Sequence, residues 1–117
     1  MTRVNFLLHS SINTLYRLDR VDLSASLKSL DDARTTLASH IRIFFKDGNP
    51  GGLHEQFLCF YVPNPPMLAN GQLERTAGYP YPSANIADKF DASRPLTDLP
   101  KLDDDDYVHV IIAVHPS

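Results

Sequence analysis

Apolar and polar residues alternate through Arg3-Val4-Asn5-Phe6-Leu7-Leu8-His9, with Val4, Phe6 and Leu8 set against Arg3, Asn5 and His9. A period of two predicts a half-buried strand. Ser10-Ser11-Ile12-Asn13 supply turn residues, and Leu15 to Leu23 reads as a second strand anchored by Tyr16, Leu18 and Val21. The alternation slips between Leu18 and Val21, which predicts a bulge there. Two adjacent strands and a short turn make an N-terminal hairpin.

The period then changes. Leu30, Ala33, Leu37, Ile41 and Phe44 recur at spacings of three and four and form one apolar stripe. Ser29 followed by Asp32 is a variant of the capping box, and Asp31 and Asp32 sit where a helix dipole favours negative charge. The expected helix therefore starts at Ser29 and stops at Asp47-Gly48, with Pro50 beyond. The β-branched and aromatic run Ile41 to Phe45 competes as a strand.

Phe57 to Val62 is a continuous apolar run that reads as a central strand, stopped by Pro63. Residues 63–100 hold seven of the nine prolines and the turn dipeptide Asn70-Gly71. They read as a long irregular connection, with a short helix near Ala84 to Phe90 and with Ile86, Phe90 and Leu96 pinning it to the core. Tyr107 to Val114 is the cleanest strand. Val108, Val110, Ile112 and Val114 make one face; Tyr107, His109, Ile111, Ala113 and His115 make the other. So apolar a strand belongs in the middle of a sheet, parallel to the first.

Composition bounds the class. The chain has 117 residues, 43% hydrophobic and 21% charged, which suits one folded domain over residues 1–117. Its net charge of −3 argues against wholesale phosphate binding. The charge is uneven: residues 1–46 carry seven Lys/Arg and four Asp/Glu, whereas residues 47–117 carry four and ten. Cys59 is the only cysteine, so no internal disulfide is expected and a reducing compartment is the simpler reading. No run approaches the roughly 18–20 apolar residues of a membrane span, and Val4 to Leu8 is too short for a signal-peptide core. A cytoplasmic protein is expected.

The order strand, strand, helix, strand, long connection, strand resembles that of a ubiquitin-like roll. Such a fold is α+β, here a mixed sheet of about four strands packed on one long helix. Three stretches also resemble the ubiquitin-like N-terminal header of Crinkler-type effector proteins. They are Val21-Asp22-Leu23 through Leu37, the strand Phe57 to Val62 with its prolines, and Pro95-Leu96-Thr97-Asp98-Leu99 followed by Tyr107 to Pro116. The resemblance implies a targeting or protein-interaction role without catalysis, acting in a host cytoplasm or nucleus. The chain ends His115-Pro116-Ser117 rather than in a diglycine, so conjugation to a lysine is not expected.

The chemistry-bearing residues form no strong motif. None of His9, His40, His54, His109 and His115 has a short ligand spacing, and His109 and His115 stand about 20 Å apart along one strand face. Asp103 to Asp106 lacks the glycine and glutamate of an EF-hand; those positions hold Val108 and Val114. Gly48 to Gly52 has no following Lys-Ser/Thr, so it is no phosphate loop. No metal and no cofactor is expected. The candidate interaction surface is the outward row Phe57, Tyr61, Tyr107, His109 and Ile111, unless the 63–100 connection covers it. The alternative is a small acidic inhibitor of viral or phage type, using Asp103, Asp104, Asp105 and Asp106 against a basic partner surface. Both readings expect a protein partner and no nucleic acid.

Overall fold

The computed structural model describes residues 2–10, 15–44, 56, 58–63, 68–69 and 87–114. Their elements are β1 (Thr2–Ser10), β2 (Leu15–Leu23), α1 (Arg34–Ile41), β3 (Leu58–Pro63), β4 (Ala87–Lys89) and β5 (Val110–Val114). The five strands form one mixed sheet in the order β2-β1-β5-β3-β4. β1 runs antiparallel to β2 and parallel to β5; β3 runs antiparallel to both β5 and β4. The architecture is α+β, with β5 in the centre of the sheet.

The core lies between the sheet and α1. Val4, Phe6 and Leu8 of β1, Val110, Ile112 and Val114 of β5, and Leu58 and Phe60 of β3 pack on Leu30, Ala33, Leu37 and Ile41. Burying a side chain of this size contributes about 1.5–3 kcal/mol. Phe90 and Leu96 are buried in the same core, as their expected anchoring role requires, while Ile86 lies outside the described residues.

The hairpin carries no bulge. All nine residues of β2 pair in unbroken register, from Thr2↔Leu23 to Ser10↔Leu15. The slip in the pattern has another cause: Asp19 lies opposite Phe6, on the helix side. There its carboxylate meets His40 Nε2 at 3.0 Å, so a polar residue on the inner face is satisfied by α1.

The helix is shorter than its stripe. Leu30 to Ala33 form a turn, and α1 starts at Arg34. One of the two expected capping contacts forms, since Asp32 N–H donates to Ser29 Oγ (3.2 Å), but the Asp32 carboxylate accepts from Lys28 N–H (3.2 Å) rather than from Ser29 N–H. What displaces the helix start is the 92–96 segment. Asp31 N–H donates to Ala92 O (3.0 Å), Leu96 N–H donates to Lys28 O (2.8 Å), and Ser29 forms a bridge with Pro95. α1 ends in a tight 3₁₀ turn, Arg42–Phe44, rather than a strand. The expected stop at Asp47-Gly48 lies outside the described residues.

The fifth strand is the other correction. Ala87–Lys89, expected to be helical, is extended and pairs with Tyr61–Pro63. Phe90 N–H continues the contact by donating to Phe60 O (2.9 Å). The open side of β3 needs hydrogen-bond partners, and that need outweighs the local preference. Pro63 closes β3 opposite Ala87. No helix among the described residues is long and apolar enough to cross a membrane.

Candidate functional site: the second face of the sheet

Side chains that point away from α1 make a second, smaller apolar layer. Its central row crosses all five strands in register: Leu18↔Leu7, Leu7↔Ile111, Ile111↔Tyr61 and Tyr61↔Lys89. Leu7, Val108 and Ile111 are its buried centre, and Leu18, Tyr61 and Ala69 pack around them. Leu68 bridges Tyr107, and Ala69 N–H donates to Asp106 O (2.8 Å), so this short stretch of the proline-rich connection is tied across the face.

The expected interaction row is thus divided. Tyr61 and Tyr107 are half-buried, whereas His109 and Ile111 are 0% and 1% exposed and belong to the interior. Phe57 lies outside the described residues. Leu68, which the sequence reading did not single out, is 51% exposed beside Tyr107. The second correction concerns β5. It begins at Val110, not Tyr107, and Val108 joins the second layer instead of the core beneath α1. The strand alternation breaks because residues 107–109 are held by side-chain hydrogen bonds together with isolated backbone contacts, not by a continuous ladder.

Asn5 and His109 do the holding. Asn5 N–H donates to His109 Nδ1 (3.0 Å), and His109 N–H donates back to Asn5 O (2.9 Å). His109 Nε2 meets Asp104 O at 2.9 Å. The Asn5 side chain donates from Nδ2 to Asp105 O (2.8 Å) and Tyr107 O (3.0 Å), and its Oδ1 accepts from Arg20 Nε (2.7 Å). Asn5 is only 2% exposed. Its polar place in the alternation of β1 reads as a solvent position, and the burial comes from a segment 100 residues away, which no local pattern announces.

Asp103 to Asp106 form the turn thus clamped. Asp106 N–H donates to Asp104 Oδ1 (3.0 Å), and Arg3 reaches Asp105 Oδ2 at 3.7 Å. Lys101, with φ of 61°, starts the turn, and its ammonium lies 4.9 Å over the Tyr107 ring. Asp103, Asp105 and Asp106 are exposed and Asp104 half-buried.

Other chemistry is dispersed. His40 has a carboxylate partner in Asp19 and sits edge-on to Phe6, with ring centroids 5.8 Å apart. No group of three or more metal-capable side chains occurs among the described residues, which leave out His54 and His115. Cys59 is half-buried and forms no disulfide within the chain. A cleft of about 570 Å³ between α1 and β4 is lined by Asp31, Arg34, Phe60, Lys89, Phe90 and Asp91, among others. Arg34 stacks over Phe60 at 5.1 Å while donating to Asp31 Oδ1 (2.7 Å) and Leu58 O (2.8 Å). The Asp91 carboxyl is held below its ordinary range first by the backbone N–H of Ser93 and then by the Ser93 hydroxyl; desolvation opposes them, and the charge of Arg94 adds a lesser lowering.

No protein-family model, no curated protein and no solved structure matches this chain.

Proposed function

We propose that the chain is a ubiquitin-like roll that serves as a non-enzymatic protein-interaction module. The observation that carries this reading is the strand order β2-β1-β5-β3-β4 with β1 parallel to β5. That order, with α1 following the β1–β2 hairpin and preceding β3 along the chain, supports a ubiquitin-like roll. The resemblance to Crinkler-type headers adds a targeting role in a host cell to the same reading.

The chemistry of the described residues supports a binding role. His109 is occupied by Asn5 and Asp104, and His40 by Asp19, so both serve packing and turn geometry. On the second face the half-buried Tyr61, Ala69 and Tyr107 and the exposed Leu68 offer apolar and aromatic surface beside the buried Val108. Aromatic residues of this kind are enriched in protein interfaces. His109 and Ile111 support this surface from beneath.

The test is capture of a partner from eukaryotic cell extract by the immobilised full chain, with Tyr61→Ala/Leu68→Glu and a fourfold Asp→Asn variant at 103–106 as comparisons. A protein held by the wild type and lost by the first variant supports the module. A protein lost only by the second variant moves the function to the exposed aspartates and a basic partner. Absence of any specific capture overturns the reading.

A further inference from the structure

The sheet ends in two unlike edges. At one, β4 is three residues long. At the other, β2 runs for nine residues, Leu15–Leu23, in unbroken register with β1. Short strands, bulges and prolines are among the devices that keep a sheet edge from pairing. β2 is neither short nor bulged, and it contains no proline.

The Asn5–His109 contact fixes which backbone groups of β2 face outward. Asn5 N–H and Asn5 O are both used on the β5 side. Asn5 and Arg20 are therefore a non-hydrogen-bonded pair of the β1–β2 ladder. By the alternation of that ladder, Val21 bonds to β1, whereas Arg20 and Asp22 turn their N–H and C=O groups away from it. The side chains of the same two residues lie on the second face, opposite Asn5 and Arg3. Both are exposed and both are held: Arg20 Nε donates to Asn5 Oδ1 (2.7 Å), and Asp22 Oδ1 accepts from Arg3 Nε (3.3 Å).

We propose that this edge pairs with the same edge of a second copy of the chain, antiparallel, about a twofold axis at Val21. Residues 19–23 are self-complementary in that register. Arg20 and Asp22 of one copy lie opposite Asp22 and Arg20 of the other. Each outward backbone group then meets its counterpart, and each charge meets its opposite on the same face. Val21 lies against Val21, and Asp19, already partnered by His40 at 3.0 Å, lies against Leu23. Moving the axis by one residue in either direction sets Arg20 against Arg20 or Asp22 against Asp22, and like charges directly opposite are unfavourable. A ladder this short makes a dimer that dissociates on dilution rather than a permanent one. The pairing rests on strand geometry and charge, independently of the interaction reading above.

The experiment is analytical ultracentrifugation of the full chain from about 10 μM to about 1 mM, a span that covers weak self-association. The wild type should pass from one copy toward two. Arg20→Asp sets carboxylate against carboxylate across the edge, and Asp22→Arg sets guanidinium against guanidinium. Each variant alone should associate about tenfold more weakly or less still. Mixed in equal amounts, the two restore opposite charges and should dimerise about as well as the wild type. Far-UV circular dichroism checks that each variant is folded; where one is not, amide exchange of the wild type decides. The Arg20 and Asp22 amides should gain about tenfold protection between the lowest and highest concentrations, while that of Val21, bonded within one copy, changes little. A single copy throughout the range overturns the proposal. So does a dimer that the single variants leave intact, or one that leaves the Arg20 and Asp22 amides unprotected.

Discussion

Replacing Asn5 by alanine isolates the contribution of a polar clasp from that of the apolar core. The substitution removes three side-chain hydrogen bonds, two donated to the Asp105 and Tyr107 carbonyls and one accepted from Arg20. A net hydrogen bond contributes about 0.5–1.5 kcal/mol, and a group left unsatisfied in the interior costs more. Asp105 and Arg20 are exposed and regain water, so their losses fall at the low end. The Tyr107 carbonyl, beside buried Val108, stands at the high end. The expected cost is about 2–3 kcal/mol, near a quarter or more of the stability of an ordinary domain. Urea unfolding followed by far-UV circular dichroism should show a lower midpoint with an unchanged slope, and the melting temperature should fall by about 6–15 °C. Arg20→Ala is the control and should cost about 1 kcal/mol or less. A loss below about 0.5 kcal/mol for Asn5→Ala would refute the view that this residue anchors the acidic turn.

Three further outcomes follow from other parts of the structure. Leu37→Ala, at a fully buried position of α1, should cost about 2–5 kcal/mol in the same unfolding assay. Ser29→Ala removes the acceptor for Asp32 N–H and should cost about 1 kcal/mol, with Ser29→Asp restoring much of it. Ser93→Ala should raise the Asp91 carboxyl toward its ordinary range, because it removes the hydroxyl donor and leaves the backbone one; carbonyl-detected NMR titration reads the shift. Since the folded carboxyl titrates below its unfolded value, the stability it contributes is present above the unfolded value and is lost as pH falls through the folded one.

What could be read from the sequence is what repeats with a short period. Val4, Phe6 and Leu8 and the run Val110 to Val114 lie where their spacing puts them, the stripe Leu30, Ala33, Leu37 and Ile41 reaches the core although its first two members precede α1, and β5 is central and parallel to β1. Features set by distant partners were not legible. β4 has three residues and no alternation, and it exists because β3 offers it an edge. Asp19 breaks the pattern of β2 only until His40 arrives from α1. The start of α1 depends on carbonyls and amides of the 92–96 segment, not on Ser29 alone. The same limit governed the candidate site. The outward parity of Tyr61, His109 and Ile111 was readable, but Leu68–Ala69 and the turn at 103–106 decide which of them meet solvent.

The central place of β5 has a consequence for how the protein is made. β1 emerges from the ribosome early and must wait for a partner 104 positions later, as the Asn5–His109 pair illustrates. The hairpin with β2 can form at once, but the β1–β5 and β5–β3 junctions cannot close until Val114 has left the exit tunnel. At about 5–20 residues per second, that leaves Val4, Phe6 and Leu8 without their final cover for several seconds. Nascent-chain force profiling should therefore show its main folding signal only after residue 114 clears the tunnel, and holdase chaperones should find their binding window before that point.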